Sequence, residues 1–294
     1  MPQWQGKSKG TPLGYRIFVL IIRTFGVTIS YVVLRFVSFY YFLFSWNSTG
    51  HIYRYFHDRL KYSVFKSIVS VYRNYYVFGQ TLLDKVIVMA GIENKFTYDF
   101  DGEENLRQIV KGGKGGILLS GHVGNWEAAG HLLKRLETKI NVVMFDGEHQ
   151  QIKQYLDQVT GGHKLNIILI KQDISHVYAM GEALQKNELV CLHADRFLEG
   201  NKTRRMKFLD KDASFPVGPF LLAASFRVPV SIVFAFKESK NHYHFFGSQS
   251  LTRAETESKD DFITRLTHTF VNELEQKIKI YPQQWFNYYN FWQK

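Results

Sequence analysis

Between Leu118 and Glu127 the chain runs Leu-Leu-Ser-Gly-His-Val-Gly-Asn-Trp-Glu. Histidine titrates near neutrality, so His122 can take a proton from a reacting hydroxyl. Glu127 can hold the imidazole in one tautomer, as the acid of a catalytic triad does. Backbone N–H groups of the turn around Gly124, the Asn125 amide or the start of a following helix can donate to a developing oxyanion. Spacing alone is weak support. With 11 His and 26 acidic residues in 294 positions, an acid follows a His by five residues twice, at His122/Glu127 and His268/Glu273. The second pair falls in an expected helix, where five residues rotate side chains about 140° apart. The first has a loop between its members, so the carboxylate can fold back onto the ring.

The flanking pattern supplies that loop. Lys114-Gly115-Gly116 leads into the apolar run Ile117 to Leu119, a short strand. Gly121 and Gly124 permit a tight turn, Asn125 is an N-cap, and Trp126–Leu136 has helical periodicity. His122 is thus expected at the carboxyl end of a strand, the edge where open α/β sheets bind ligands. Ser120 lacks a Gly-x-Ser-x-Gly elbow and is not read as a nucleophile. Strands are expected at Asn94–Phe100, Ile140–Phe145, Asn166–Ile170, Leu189–Ala194 and Val228–Phe236, with further edge strands at Met206–Leu209 and His242–Ser248. Helices are expected at Glu103–Val110, His149–Thr160, Ile174–Lys186, Gly218–Phe226 and Asp260–Ile280. This alternation predicts an α/β fold, a layered mixed or mostly parallel sheet flanked by helices. If the strands are parallel, Asp195-Arg196 follows its strand on the same sheet edge as His122. Arg196 can there hold a phosphate or orient a carboxylate, or simply form a structural ion pair.

A net charge of +11 suits an anionic surface, lipid or nucleic acid. No nucleic-acid motif accompanies it, so a membrane surface is the expectation and nucleic acid is not. The single Cys191 excludes an internal disulfide framework and a cysteine-based zinc cluster; it lies in an apolar run and reads as inert. Residues 1–14 form a polar tail. Residues 15–46 are the most apolar segment, ~48 Å long as one helix, and are expected to anchor the chain in a membrane. Arg35 would lie near mid-depth of a span, and basic residues flank both ends, which favours a tilted or in-plane helix. Residues 47–93 are expected as a helical membrane-proximal region, and 94–294 as the α/β domain. The basic stretch Asn201 to Lys207, with Arg204, Arg205 and Lys207, reads as a loop suited to phosphate groups or an acidic partner. The aromatic run Pro282 to Trp292 reads as a core cover or a channel lining.

Ser120-Gly121-His122-Val123-Gly124-Asn125-Trp126-Glu127 resembles the active-site block of the bacterial lipid A biosynthesis (lauroyl/myristoyl-type) acyltransferases, within the glycerolipid acyltransferase superfamily. The N-terminal apolar helix, Ala194-Asp195-Arg196, Phe215-Pro216-Val217-Gly218-Pro219 and the aromatic C-terminus follow the same order. The resemblance implies a membrane-associated O-acyltransferase moving a fatty acyl chain from an acyl carrier protein thioester to a hydroxyl of a lipid acceptor. His122 is then the general base held by Glu127, no acyl-enzyme forms, and no metal or other cofactor is required. The resemblance further implies that Asp195 and Arg196 support the site and that Phe215 and Gly218 border the acceptor or acyl groove. A cytoplasmic thioester donor implies the cytoplasmic face of the inner membrane. Two departures bear on the acceptor. Val217 stands where phospholipid-type relatives carry an acid, which favours the lipid A-type branch. Asp210, in Phe208-Leu209-Asp210, stands where that branch often has glycine. Two other classes compete: a basic, membrane-attached lipid-binding protein without turnover, and a metal-dependent hydrolase using His122, Asp146, His193 and Asp195.

Overall fold

The computed structural model describes residues 12–89, 91–125, 136–145, 166–171 and 173–292. Glu127, Asp146, nearly all of the expected helix Trp126–Leu136 and the whole of His149–Thr160 lie outside the described residues.

Helix α1 (Pro12–Phe44) is broken at Gly26, whose φ of 78° and ψ of 178° lie outside helical space. The apolar segment is therefore two helical stretches meeting at that glycine. Val19, Ile22, Ser30, Tyr31, Leu34 and Ser38 are buried on one face, following the three-to-four-residue spacing of a packed stripe. Of these, Ile22, Tyr31 and Leu34 meet α3 (Val64–Met89) in a small core with Leu83 and Ile87. At the crossing, a Cβ on Gly79 would lie 2.5 Å from Leu34 Cδ1, so glycine lets the helices close. The opposite face of α1 exposes Leu20, Phe25, Phe36, Phe39 and Phe44, and the exposed stripe continues onto Trp46 and Phe65. Arg16–Phe44 contains an 18-residue window of mean hydropathy 2.2 and is long and apolar enough to cross a membrane.

Between these helices, α2 (Trp46–Arg54) runs into a π-helical turn at Tyr55–Arg59. Ile52, Tyr55 and Phe56 enter the main hydrophobic core. Asn74 of α3, fully buried, donates to the carbonyls of Gln283 and Trp285, and Tyr55 donates to that of Pro282. The N-terminal helices therefore pack directly on the C-terminal segment.

The centre is a seven-stranded sheet in the order β1-β9-β8-β2-β5-β3-β4. Its strands are β1 (Thr97–Asp101), β2 (Gly116–Ser120), β3 (Ile140–Phe145), β4 (Asn166–Ile170), β5 (Leu189–His193), β8 (Val230–Lys237) and β9 (His242–Gly247). All neighbouring pairs are parallel except β8 with β9. Both faces are buried, so the central strands are continuously apolar rather than alternating. Ile117, Leu119, Val190, Leu192 and Phe234 join the larger core with α6 (Gly218–Phe226) and α7 (Lys259–Ile280). Leu118, Leu189 and Val142 face Leu106 and Ile109 of α4 (Glu103–Lys111). Helix α5 (Ser175–Gln185) adds Met180, Ala183 and Leu184 to the larger core.

The expected basic loop is instead a strand. Thr203–Phe208 forms β6, paired antiparallel with β7 (Lys211–Pro216). Leu209 and Asp210 both take left-handed φ, 48° and 62°, as a two-residue hairpin turn between twisted strands requires. Asp210 thus occupies a conformation in which glycine is the unstrained residue.

Candidate active site

Strands β2 and β5 are hydrogen-bonded parallel neighbours with Ser120 opposite His193, and the Ala194 N–H donates to the Ser120 carbonyl. Both chains leave the sheet at that edge, so His122 and Asp195 meet although 73 residues separate them. His122 Nδ1 lies 2.7 Å from Asp195 Oδ1, and the His122 backbone N–H donates to Asp195 Oδ2 at 2.9 Å. Asp195 keeps 1% of its side-chain surface and His122 keeps 24%. One carboxylate therefore fixes both the backbone and the ring of the histidine. Gly121 makes room for it, since a Cβ there would sit 3.2 Å from Asp195 Cγ.

Electrostatics follow from this burial. Desolvation, then the Arg196 guanidinium, lowers the His122 pKa below the usual imidazole value against the opposing pull of Asp195. Burial and the neighbouring His122 lower His193 to about 3. Burial opposes charge on Asp195 too, but His122 and then Arg196 outweigh it and hold the carboxyl well below its usual range. Near neutrality the cluster is a carboxylate beside a neutral imidazole. Nδ1–H donates to Asp195, and the ring's lone pair is on Nε2. His193, on β5, places its ring centroid 4.5 Å from that of His122.

The turn after His122 is held from three sides. Val123 bridges to Trp285, the Gly124 N–H donates to the Gln284 carbonyl, and the Asn125 N–H donates to that of Ala235. The Val123 N–H is taken by the Gly121 carbonyl. The peptide donors from 122 to 125 are therefore engaged within the protein. Gly124 has φ +61°, and a Cβ would meet the Ala235 oxygen at 1.9 Å, so no other residue fits. The buried Asn125 amide donates to the Thr81 carbonyl and the Tyr243 hydroxyl, which makes it a fastener of the turn.

Arg196 donates to the Phe286 carbonyl and stacks over Tyr289, with 5.8 Å from guanidinium to ring centroid. Arg205 and Lys207 lie on the exposed face of β6, while Arg204 bonds Thr264 of α7. Phe215 is fully buried between Phe208 and Phe291, and Gly218 opens α6 with free space around the position of a Cβ. The structure thus brings together His122, Asp195 and Arg196, and sets Arg204, Arg205, Lys207, Phe215 and Gly218 on other elements. Sequence reasoning missed the docking of Gln284 to Phe286 against the His122 turn and the clasp of Thr81 and Tyr243 on Asn125. Both join segments remote in sequence, and no local pattern marks them.

Donor atoms of His122, His193 and Asp195 lie within 4.8 Å of one another, close enough to be weighed as a metal set. Both Asp195 oxygens are however spent on His122, one on the ring and one on the backbone. An apolar cleft on the α4 side of the sheet reaches Ser120 and His193, lined by Leu106, Val142, Cys191 and Phe245.

Three comparisons place these observations. A search of curated proteins finds no match. Among solved structures, the 1-acyl-sn-glycerophosphate (LPA) acyltransferase PlsC from Thermotoga maritima aligns at 12% identity and a TM-score of 0.38, covering 85% of this chain and 98% of that one. The profile of the bacterial lipid A biosynthesis acyltransferases matches residues 70–294. This match takes in the sheet, the His122–Asp195 pair and the C-terminal segment that holds it, and the chain belongs to the bacterial lipid A biosynthesis acyltransferase family.

Proposed function

We propose that the chain transfers a fatty acyl group from an acyl carrier protein thioester to a hydroxyl of a lipid acceptor, with His122 as general base. The observation that carries this is the His122 Nδ1–Asp195 Oδ1 contact of 2.7 Å at the carboxyl ends of two parallel strands. Asp195 holds the tautomer whose Nε2 accepts the acceptor's hydroxyl proton. The hydroxyl oxygen attacks the thioester carbonyl, and the carbonyl electrons move onto oxygen. Collapse of that tetrahedral species breaks the carbon–sulfur bond, and the thiolate leaves with the proton returned from Nε2. No acyl-enzyme is needed, because the acceptor itself is the nucleophile. The turn's peptide N–H groups are engaged elsewhere, so the Arg196 guanidinium is the positive group assigned to the oxyanion. Glu127, five residues beyond His122 in the same block, is assigned to support the base. The apolar cleft ending at His193 suits the acyl chain. Lipid A precursor-like acceptors or other lysolipids fit the family.

Helix α1 is assigned to the inner membrane, lying on its surface or spanning it, with the catalytic face cytoplasmic. The exposed apolar stripe from Leu20 to Phe65 supports this, as does the net charge of +11, which favours an anionic lipid surface. The test is label transfer from a radiolabelled acyl carrier protein thioester into a total lipid extract in detergent micelles. Wild type is expected to label a lipid and His122→Ala is not. Equal labelling by both would remove His122 from the reaction, and thioester loss without a lipid product would indicate hydrolysis.

A further inference from the structure

The π-helical turn at Tyr55–Arg59 forms one wall of a second, polar cavity of about 170 Å³. Its lining includes Arg54, Asp58, Arg59, Lys211, Tyr289 and Trp292. In an α-helix, residues five apart point about 140° away from each other. Here the Leu60 N–H bonds the Tyr55 carbonyl in the i→i+5 pattern, and Arg54 and Arg59 face the same cavity. Arg59 also rests on the Trp292 ring, 5.6 Å from its centroid, which limits the freedom of its long side chain. Lys211 approaches from the start of β7, an element of the separate hairpin. Three cations from three elements thus converge against one carboxylate, Asp58, leaving a surplus of two positive charges. Tyr289 separates this cavity from the active site, lining one and carrying Arg196 on its ring in the other.

We propose that this cavity binds a phosphoryl group of a substrate, its oxygens taken by Arg54, Arg59 and Lys211. Two guanidinium forks and an ammonium match the three terminal oxygens of a phosphate monoester better than the two of a carboxylate. The surplus charge of the wall matches its dianion. The phosphate is carried either by the lipid acceptor's headgroup or by the prosthetic arm of the acyl carrier. That identification of carriers rests on the acyl-transfer reading, whereas the binding itself does not.

The test is equilibrium binding to the full chain in detergent, with two matched pairs of probes. Dihexanoyl phosphatidate is compared with dihexanoylglycerol, and phosphopantetheine with pantetheine. Wild type is expected to bind the phosphate-bearing member of at least one pair about tenfold tighter, the scale of a charge-assisted hydrogen bond. Arg54→Gln with Arg59→Gln is expected to erase that preference. Lys186→Gln with Lys259→Gln, which removes the same charge from exposed positions elsewhere, is expected to keep it. A preference in the lipid pair assigns the site to the acceptor, and one in the pantetheine pair assigns it to the donor. No preference in either pair, or one that survives the arginine substitutions, overturns the proposal. A phosphate preference that persists while His122→Ala transfers acyl groups normally would keep this site and reject the assigned chemistry.

Discussion

Two buried carboxylates, Asp195 and Asp84, show how differently this protein uses the same group. Asp84 on α3 is enclosed by donors: Lys237 Nζ at 2.6 Å and the hydroxyls of Tyr31 and Tyr243. Lys237 also donates to the Tyr31 hydroxyl and the Lys240 carbonyl. Asp84 and Lys237 keep 0% and 4% of their side-chain surfaces, so the cluster is closed to water and to substrate. Burial pushes the Asp84 carboxyl up and the Lys237 ammonium down, against their mutual attraction. Such a pair adds little net stability relative to an apolar core, yet breaking it is costly. What it does here is join α1, α3, β8 and β9, and through Tyr243 it reaches Asn125 beside the His122 turn. Asp195, by contrast, spends its charge on one imidazole that keeps a quarter of its surface open. Full enclosure makes a clasp, whereas enclosure with one exposed tip is the arrangement the proposed base requires.

Substitutions that separate turnover from folding test this contrast. The largest effect is expected from His122→Ala, a loss of turnover of roughly 10²–10⁴-fold with the fold retained, read by acyl transfer beside circular dichroism. Asp84→Asn is expected to do the reverse. It should cost about 3–5 kcal/mol of stability by stranding Lys237, measured as a lower melting temperature, while turnover per folded molecule stays within a few-fold. If Asp84→Asn abolished turnover without lowering the melting temperature, the distinction would fail. Gly124→Ala should affect both properties, with about 1–3 kcal/mol from the left-handed backbone alone and more from the Ala235 clash.

The pH dependence sharpens the comparison further. His122 titrates below the usual imidazole value, so transfer should fall as pH drops through a midpoint under 6.5 and stay level above it. His193 is neutral in the folded chain down to about 3, while in the unfolded chain it binds a proton below about 6.5. In that window the unfolded state holds more protons, so stability falls as pH falls. His193→Asn should flatten a melting-temperature series from pH 4 to 7, and an unchanged slope would assign the acid sensitivity elsewhere. The smallest effect is expected from Arg205→Gln, within about 0.5 kcal/mol in stability because the side chain is on an exposed strand face.

What the sequence shows is set by the range of the interactions. Strands Ile140–Phe145 and Asn166–Ile170 and helix Gly218–Phe226 match their expected limits, because each is a short apolar run that breaks off at a polar or charged residue. The parallel sheet edge that joins His122 to Asp195 was foreshadowed by strand-helix alternation. The hydrogen bond between them was not, since its partners are 73 residues apart. The β6–β7 hairpin was hidden because Leu209-Asp210 makes a turn that usually announces itself with Asn-Gly or Asp-Gly. The π turn at Tyr55–Arg59 leaves no periodic trace in a region whose pattern is helical throughout. The C-terminal aromatics were legible as a cover, but their role in bracing the His122 turn depends on backbone bonds accepted by Gln284 and donated by Phe286, which composition does not encode.

The most direct test of the central claim is single-turnover acyl transfer by Asp195→Asn, measured beside its melting temperature. The substitution keeps shape but replaces an acceptor with an amide that can donate to Nδ1, shifting the ring to the tautomer in which Nε2 carries the proton. Transfer should slow by roughly 10²–10⁴-fold, as loss of the working tautomer does in a triad, with the protein still folded at the assay temperature. Transfer at the wild-type rate by folded Asp195→Asn would contradict the claim that His122 is the base and Asp195 its holder.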